Sequence, residues 1–236
     1  MWIAVLWLLC AGPVLAVELG DDGLHKTPWM RETFKDLRED LEEANAEGKR
    51  LVLFFEQRGC IYCTKMHEEV FPKPQISSYI ADNFFVVQLN LYGDVEVTDF
   101  DGETLSEKDM ARKWGILFTP TMMFLPQEVP AVPAPQAAVS IMPGAFGVGT
   151  TLDMFTWVKE ERYNLDNGED FQRYHARRIQ ERDNGSADWG AACPVPDMPA
   201  NLQQLRVATS LGRVIWNDII KFKLLNLMLR KAGEVA

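Results

Sequence analysis

The chain has 236 residues, 47% of them apolar and 25% charged, a composition that suits one sizeable globular core with at most an accessory segment. Its formal charge of −10 is unevenly spread: residues 1–200 hold 18 Lys and Arg against 32 Asp and Glu, and residues 201–236 hold six against two. So acidic a body excludes a nucleic-acid-binding surface there, because neutralising phosphates needs clustered Lys and Arg.

The first 16 residues, MWIAVLWLLCAGPVLA, form an apolar run ending in small residues at Val14 and Ala16. That spacing suits signal-peptidase cleavage after Ala16, and the run is short for a membrane-spanning helix of about 20 residues. Export to the periplasm is the expectation. Cys10 lies inside this run, which leaves Cys60, Cys63 and Cys193 in the mature chain. Three cysteines are too few to staple a scaffold of this size, so a single CxxC points to redox chemistry or to half of a metal site.

After an N-terminal linker at 17–26, Thr27-Pro28 reads as a helix start, with Phe34, Leu37, Leu41 and Ala44 at helical spacing and Gly48 as the stop. The run LVLFFE (51–56) has the continuous apolar character of a buried central strand. A Gln57-Arg58-Gly59 turn then hands over to Cys60-Ile61-Tyr62-Cys63, and Met66 and Val70 continue a helical stripe as far as Pro72. A helix around Ile76–Ala81, a strand at 84–91, a capped helix from Ser106 to Trp114 and a strand at 121–125 follow. A proline-rich connection leads to a last strand at AAVSIM, and Leu152, Phe155 and Val158 mark a closing helix. This alternation predicts an α/β fold: a central mixed sheet, parallel at first and finished by an antiparallel hairpin, with helices on both faces. Residues 184–200 read as a Pro/Gly-rich linker, and 201–236 as a basic amphipathic helix that either packs on its own domain or contacts a membrane surface or partner protein.

A dithiol exchanges with a disulfide only when one sulfur is ionised. Cys60, placed where a strand gives way to a helix, has unpaired backbone N–H groups aimed at its sulfur, which favours the thiolate by up to about 2 kcal/mol. Arg58 and Lys65 add positive charge nearby, and Glu56, on the preceding strand, is either a proton acceptor or a solvated strand-end carboxylate. Cys63, one helical turn along, is the resolving thiol. Thr119-Pro120 taken alone is an ordinary trans turn into a strand; downstream of a CxxC it is expected to be cis and to sit beside the thiolate. Ile61, Tyr62, Thr119 and Pro120 are therefore the expected substrate-contacting positions.

Several separated stretches, in order, carry a resemblance: Gly59-Cys60-Ile61-Tyr62-Cys63 with Lys65-Met66-His67-Glu68 behind it, residues 86–103, ARKWGILFTPT (111–121) and FQRY (171–174). From about Thr27 to Arg182 the chain resembles the periplasmic thioredoxin of the bacterial sulfur-oxidation system. The resemblance implies a thioredoxin-like domain at 27–183, a redox pair at Cys60 and Cys63, and a cis-proline at Pro120. It also implies a thiol-disulfide oxidoreductase that takes electrons from a membrane thiol donor and passes them to exported protein disulfides, without an organic cofactor. Ordinary thioredoxins carry Trp before the first cysteine, Gly-Pro inside the motif and a buried aspartate six residues upstream; here those positions hold Gly59, Ile61-Tyr62 and Phe54.

Two rival readings stay open on the residues. Cys60, Cys63 and His67 are feasible zinc ligands, with Cys193 or His25 as the fourth, although a half-site without a second ligand pair makes a metal site the weaker expectation. Alternatively the fold is a non-catalytic binding module working through its tail. The acidic run Asp94, Glu96, Asp99, Asp101 and Glu103 is expected to be a solvated loop rather than a calcium site. His67 is expected on the helix surface, His25 and His175 outside any constellation, and Cys193 as an inert linker thiol.

Overall fold

The computed structural model describes residues 18–165 and 169–186. The expected signal peptide, Cys10, Cys193, most of the 184–200 linker and the basic tail lie outside the described residues. None of the described helices is long and apolar enough to cross a membrane.

The segment expected as a linker is a hairpin. Glu18–Leu19 (β1) pairs antiparallel with His25–Lys26 (β2), and Gly23 adopts a left-handed φ of 74° in the turn. Thr27 does not open a helix: Met30–Arg31 (β3) instead lies parallel to the strand at 84–90, and Phe34 is 94% exposed. The helix begins ten residues later, at Leu37–Ala46 (α1), where the Asp36 carboxylate accepts hydrogen bonds from the Arg38 and Glu39 amides at 3.0 and 3.4 Å. Both starts suit Leu37, Leu41 and Ala44. The choice falls to Asp36 because residues 30–31 gain backbone partners at the sheet edge, which a helix there would forfeit.

Arg50–Glu56 (β4) is buried along its whole length, as a central strand covered on both faces must be. Ile61–Lys65 (α2) continues into a π-helical turn over Met66–Val70, closed by the Phe71 amide donating to the Met66 carbonyl. Pro74–Asn83 (α3), Phe84–Asn90 (β5), Glu96–Thr98 (β6), Thr104–Ser106 (β7), Glu107–Lys113 (α4), Thr121–Phe124 (β8), Ala134–Ala137 (α5), Ser140–Pro143 (β9) and Val148–Lys159 (α6) follow. The main sheet runs β3-β5-β4-β8-β9, with β3, β5 and β4 parallel and β8 and β9 antiparallel, as the alternation predicts. Period-two alternation along β4 divides the core. Val52 and Phe54 face Met66, Phe71 and Phe155 on one side, while Leu51, Leu53 and Phe55 face Leu41, Met110 and Trp114 on the other.

The acidic run spans a hairpin, β6–β7; Asp94, Glu96, Asp101 and Glu103 are exposed to solvent as expected, but Asp99 is wholly buried. One Asp99 oxygen accepts from the Phe100 and Ala134 amides at 2.7 and 3.0 Å; the other accepts from Trp114 Nε1 at 2.7 Å and Lys113 Nζ at 3.3 Å. Lys113 also reaches Asp101 and Glu103, at 3.1 and 2.8 Å, so its ammonium serves as the cation of this cluster.

A further helix that no sequence pattern marks, Phe171–Ser186 (α7), docks on α6. Asp153 of α6 is fully buried; Arg182 grips it with two hydrogen bonds of 2.8 and 2.9 Å, and His175 Nδ1 lies 2.6 Å away. His175 Nε2 meets Thr150 Oγ1 at 3.3 Å and its ring stacks on Phe171, so this histidine belongs to a clamp. Burial alone would push the Asp153 carboxyl up, but hydrogen bonds from His175 and Arg182, and their charges, hold it below the usual carboxylate range. The clamp's contribution is thus complete above about pH 4 and fades as pH falls through the depressed value. Asp153→Asn is expected to cost about 2 kcal/mol at pH 7, discounted because Arg182 is part-exposed. Urea unfolding at pH 7 and pH 3 checks this: the deficit should shrink at pH 3, and an equal deficit at both would remove the ionic clamp.

Candidate active site

Gly59 ends the turn after β4 with φ 73°, a left-handed conformation that disfavours any side chain. The turn delivers Cys60 to the N-cap position of α2, where its sulfur accepts a hydrogen bond from the Cys63 amide at 3.1 Å. Cys60 and Cys63 are joined as a disulfide with their Cα atoms 5.2 Å apart. Cys60 keeps 6% of its surface exposed and Cys63 none, so an incoming sulfur can reach only the first.

Opposite the disulfide, the Thr119–Pro120 peptide is cis and Thr119 Oγ1 lies 3.3 Å from Cys60 Sγ. The sequence-separated pairs Cys60/Cys63 and Thr119/Pro120 therefore meet. Ile61 and Leu117, 73% and 74% exposed, and the half-exposed Tyr62 and Phe118 flank them. Tyr92 and Val95, also exposed, follow the C-terminal end of β5, the end of the parallel pair from which the redox turn leaves β4. Exposed apolar side chains thus lie on the segments that adjoin the accessible sulfur and at the same end of the sheet.

The charged candidates divide. Arg58 is exposed and lays its aliphatic stem over Gly23, where an added Cβ would meet Arg58 Cγ at 2.9 Å. Lys65 reaches outward to Glu69 at 3.8 Å, in solvent. Glu56 is not a solvated strand end: it is fully buried, with Oε1 2.5 Å from His25 Nδ1 and Oε2 accepting from Gln88 Nε2 at 2.6 Å. His67 is not on the helix surface; its buried ring stacks on His25 at 4.6 Å, and its Nε2 lies 3.5 Å from Glu56 Oε1. His25, expected to stand alone, joins this cluster, and its Nε2 meets Thr64 Oγ1 at 3.2 Å.

The sequence did carry a signal for His67, which lies four residues after Cys63 on the stripe that buries Cys63, Met66 and Val70. No local pattern marks His25, because its burial comes from the hairpin packing beside β4. The disulfide meanwhile engages both sulfurs of the expected Cys60-Cys63-His67 ligand set with each other.

Residues 37–130 match the model of the thioredoxin-like domain family. Among solved structures, a thioredoxin-fold protein from Helicobacter pylori aligns at 19% identity, covering 58% of this chain and 86% of that one, with a TM-score of 0.44. A thioredoxin from Thermus thermophilus aligns at 23% identity over 52% and 83%, TM-score 0.40, and the reduced C-terminal domain of DsbD from Neisseria meningitidis at 14% over 51% and 91%, TM-score 0.36. No curated protein matches the chain. With its β3-β5-β4-β8-β9 sheet, helices on both faces and a domain match across the redox turn, the chain has a thioredoxin-like fold.

Proposed function

We propose that the protein is a thiol-disulfide oxidoreductase that reduces disulfides of exported proteins through Cys60 and Cys63. One observation carries this reading: a CxxC disulfide at a helix start, its first sulfur accessible and its second buried, beside a threonine–proline turn 3.3 Å away.

In the reduced protein, the peptide dipoles of α2 and the Cys63 amide favour a thiolate at Cys60. This thiolate attacks one sulfur of a client disulfide; the client S–S bond breaks, its other sulfur leaves as a thiolate, and a mixed disulfide forms at Cys60. Cys63, deprotonated, then attacks Cys60 Sγ, breaking the mixed disulfide and releasing the second client sulfur. Two electrons pass to the client and the Cys60–Cys63 disulfide results. A membrane dithiol donor resets the pair. Ile61, Tyr62, Leu117 and Phe118 favour an extended, apolar client segment, whose burial stabilises the encounter by about 25 cal/mol for each Å² covered. The apolar N-terminal run supports a periplasmic setting, and the resemblance to the sulfur-oxidation thioredoxin supports proteins of sulfur-compound oxidation as clients.

Trapping tests this reading. Cys63→Ser, expressed with its full N-terminal segment, should accumulate dithiothreitol-sensitive mixed disulfides with exported proteins, whereas Cys60→Ser should capture none. Equal capture by the two variants would overturn the assigned roles. Retained partner binding by a double Cys60→Ser, Cys63→Ser variant, with no insulin reduction by the parent, would favour a binding module.

A further inference from the structure

Behind the redox helix lie three side chains of metal-ligand type drawn from separate parts of the chain: His25 on β2, Glu56 at the end of β4 and His67 on the π-helical turn. All three are buried, and one ligand atom from each falls within 4.8 Å of the others. We propose that His25, Glu56 and His67 bind a divalent transition-metal ion of the zinc class, in a site distinct from the Cys60–Cys63 pair.

Two imidazoles and one carboxylate form a donor set that suits Zn²⁺ and neighbouring metals, leaving a position for a further ligand. Around a tetrahedral ion with bonds near 2.0–2.1 Å, ligand atoms stand roughly 3.3 Å apart. The 3.5 Å between His67 Nε2 and Glu56 Oε1 meets that spacing. His25 Nδ1 and Glu56 Oε1, 2.5 Å apart, need to part by about 0.8 Å to admit the ion. Because the two imidazoles stack with planes only 16° apart, His25 must also turn about its Cβ–Cγ bond.

An independent observation points to a ligand. Both ring nitrogens of His67 are buried without a hydrogen-bond partner. A buried polar atom left unpaired costs about 1–3 kcal/mol, and its retention calls for an unseen partner. The surroundings supply the outer support that metal sites use to aim their ligands. Gln88 Nε2 holds Glu56 Oε2 at 2.6 Å and also donates to the His25 carbonyl at 2.8 Å, while Gln88 Oε1 accepts from Lys26 Nζ at 2.8 Å, which fixes the amide's orientation. Thr64 Oγ1 meets His25 Nε2 and also donates to the Cys60 carbonyl at 3.2 Å. Gln88 and Thr64 thus hold the outer atoms of Glu56 and His25 and leave Glu56 Oε1 beside His25 Nδ1 and His67 Nε2.

The test uses the full chain with its disulfide oxidised and all metal first removed by chelator, so that neither Cys60 nor Cys63 can contribute a thiolate. Calorimetric titration with Zn²⁺ should show one equivalent bound and a Tm raised by several degrees. Affinity should fall by roughly 100-fold or more in His67→Ala and by roughly 10- to 100-fold in Gln88→Ala, and should be unchanged in the Cys60→Ser, Cys63→Ser double variant. Should His67→Ala misfold, Co²⁺ added to the unmodified protein should give the visible bands of a tetrahedral nitrogen–oxygen site without a thiolate charge-transfer band. Absence of binding to the oxidised protein, a thiolate band, or loss of binding in the cysteine variant but not in His67→Ala would overturn the site. None of these outcomes bears on insulin reduction, so the redox reading stands or falls separately.

Discussion

Cys60→Ser is expected to lower the rate of insulin reduction by roughly 10⁴-fold or more, because it removes the only sulfur of the pair that a client can reach. Cys63→Ser keeps the attacking group and loses the escape step, so a single burst of mixed-disulfide formation should replace turnover. The Cys63 amide donates to Cys60 Sγ whatever side chain position 63 carries, so the burst should keep the parent's rate within a few-fold. Stopped-flow kinetics with a chromogenic disulfide separates the two variants. Sustained turnover by either would exclude the two-step exchange.

Asp40→Asn is expected to stabilise the protein at pH 8 by about 3 kcal/mol, a rise in Tm of roughly 6–12 °C. Asp40 lies on the buried side of α1, where among the described residues only the Thr33 hydroxyl donates to it, at 3.2 Å. Burial pushes its carboxyl up to about 7; the Thr33 hydrogen bond opposes this, and the neighbouring charges of Asp36, Glu43 and Glu39 add to it. The folded state therefore holds a proton that an unfolded aspartate, with a pKa of about 3.9, releases. Stability should fall as pH rises from about 4 to about 7 and level off above that. Asparagine keeps the contact to Thr33 without a charge to bury, so the variant should lose this slope while retaining the acid limb set by Asp153. An unchanged Tm at pH 8 would show that Asp40 ionises without cost.

Asp40 and Asp153 are both buried carboxylates on helices, with opposite consequences. Asp153 has a guanidinium and an imidazole in hydrogen-bond range, and Asp40 has one hydroxyl among like charges. Neither difference is visible in a helical repeat. It depends on what a second element brings to the spot.

Periodicity alone determined the central features of this protein. Leu51–Glu56 reads as a buried strand because no polar side breaks it, Ser106 reads as a cap because its hydroxyl matches the amide three residues on, and the two-residue gap in CxxC places both sulfurs on one helical turn. These signals are local, and the structure retains them. Choices between equivalent local options fell to the tertiary structure. Thr27 and Asp36 are both competent caps, and pairing of Met30–Arg31 with β5 decided for Asp36. Asp99 looks like one more acid in a solvated run until Trp114 and the Ala134 amide converge on it. His25, Glu56 and His67 are separated by 31 and 11 residues, and no spacing rule joins them; they meet because the N-terminal hairpin and the π-helical turn pack against the same end of β4. Short-range hydrogen bonds and side-chain periods are written along the chain, whereas the environment of a buried charge is set by whatever the closed sheet brings beside it.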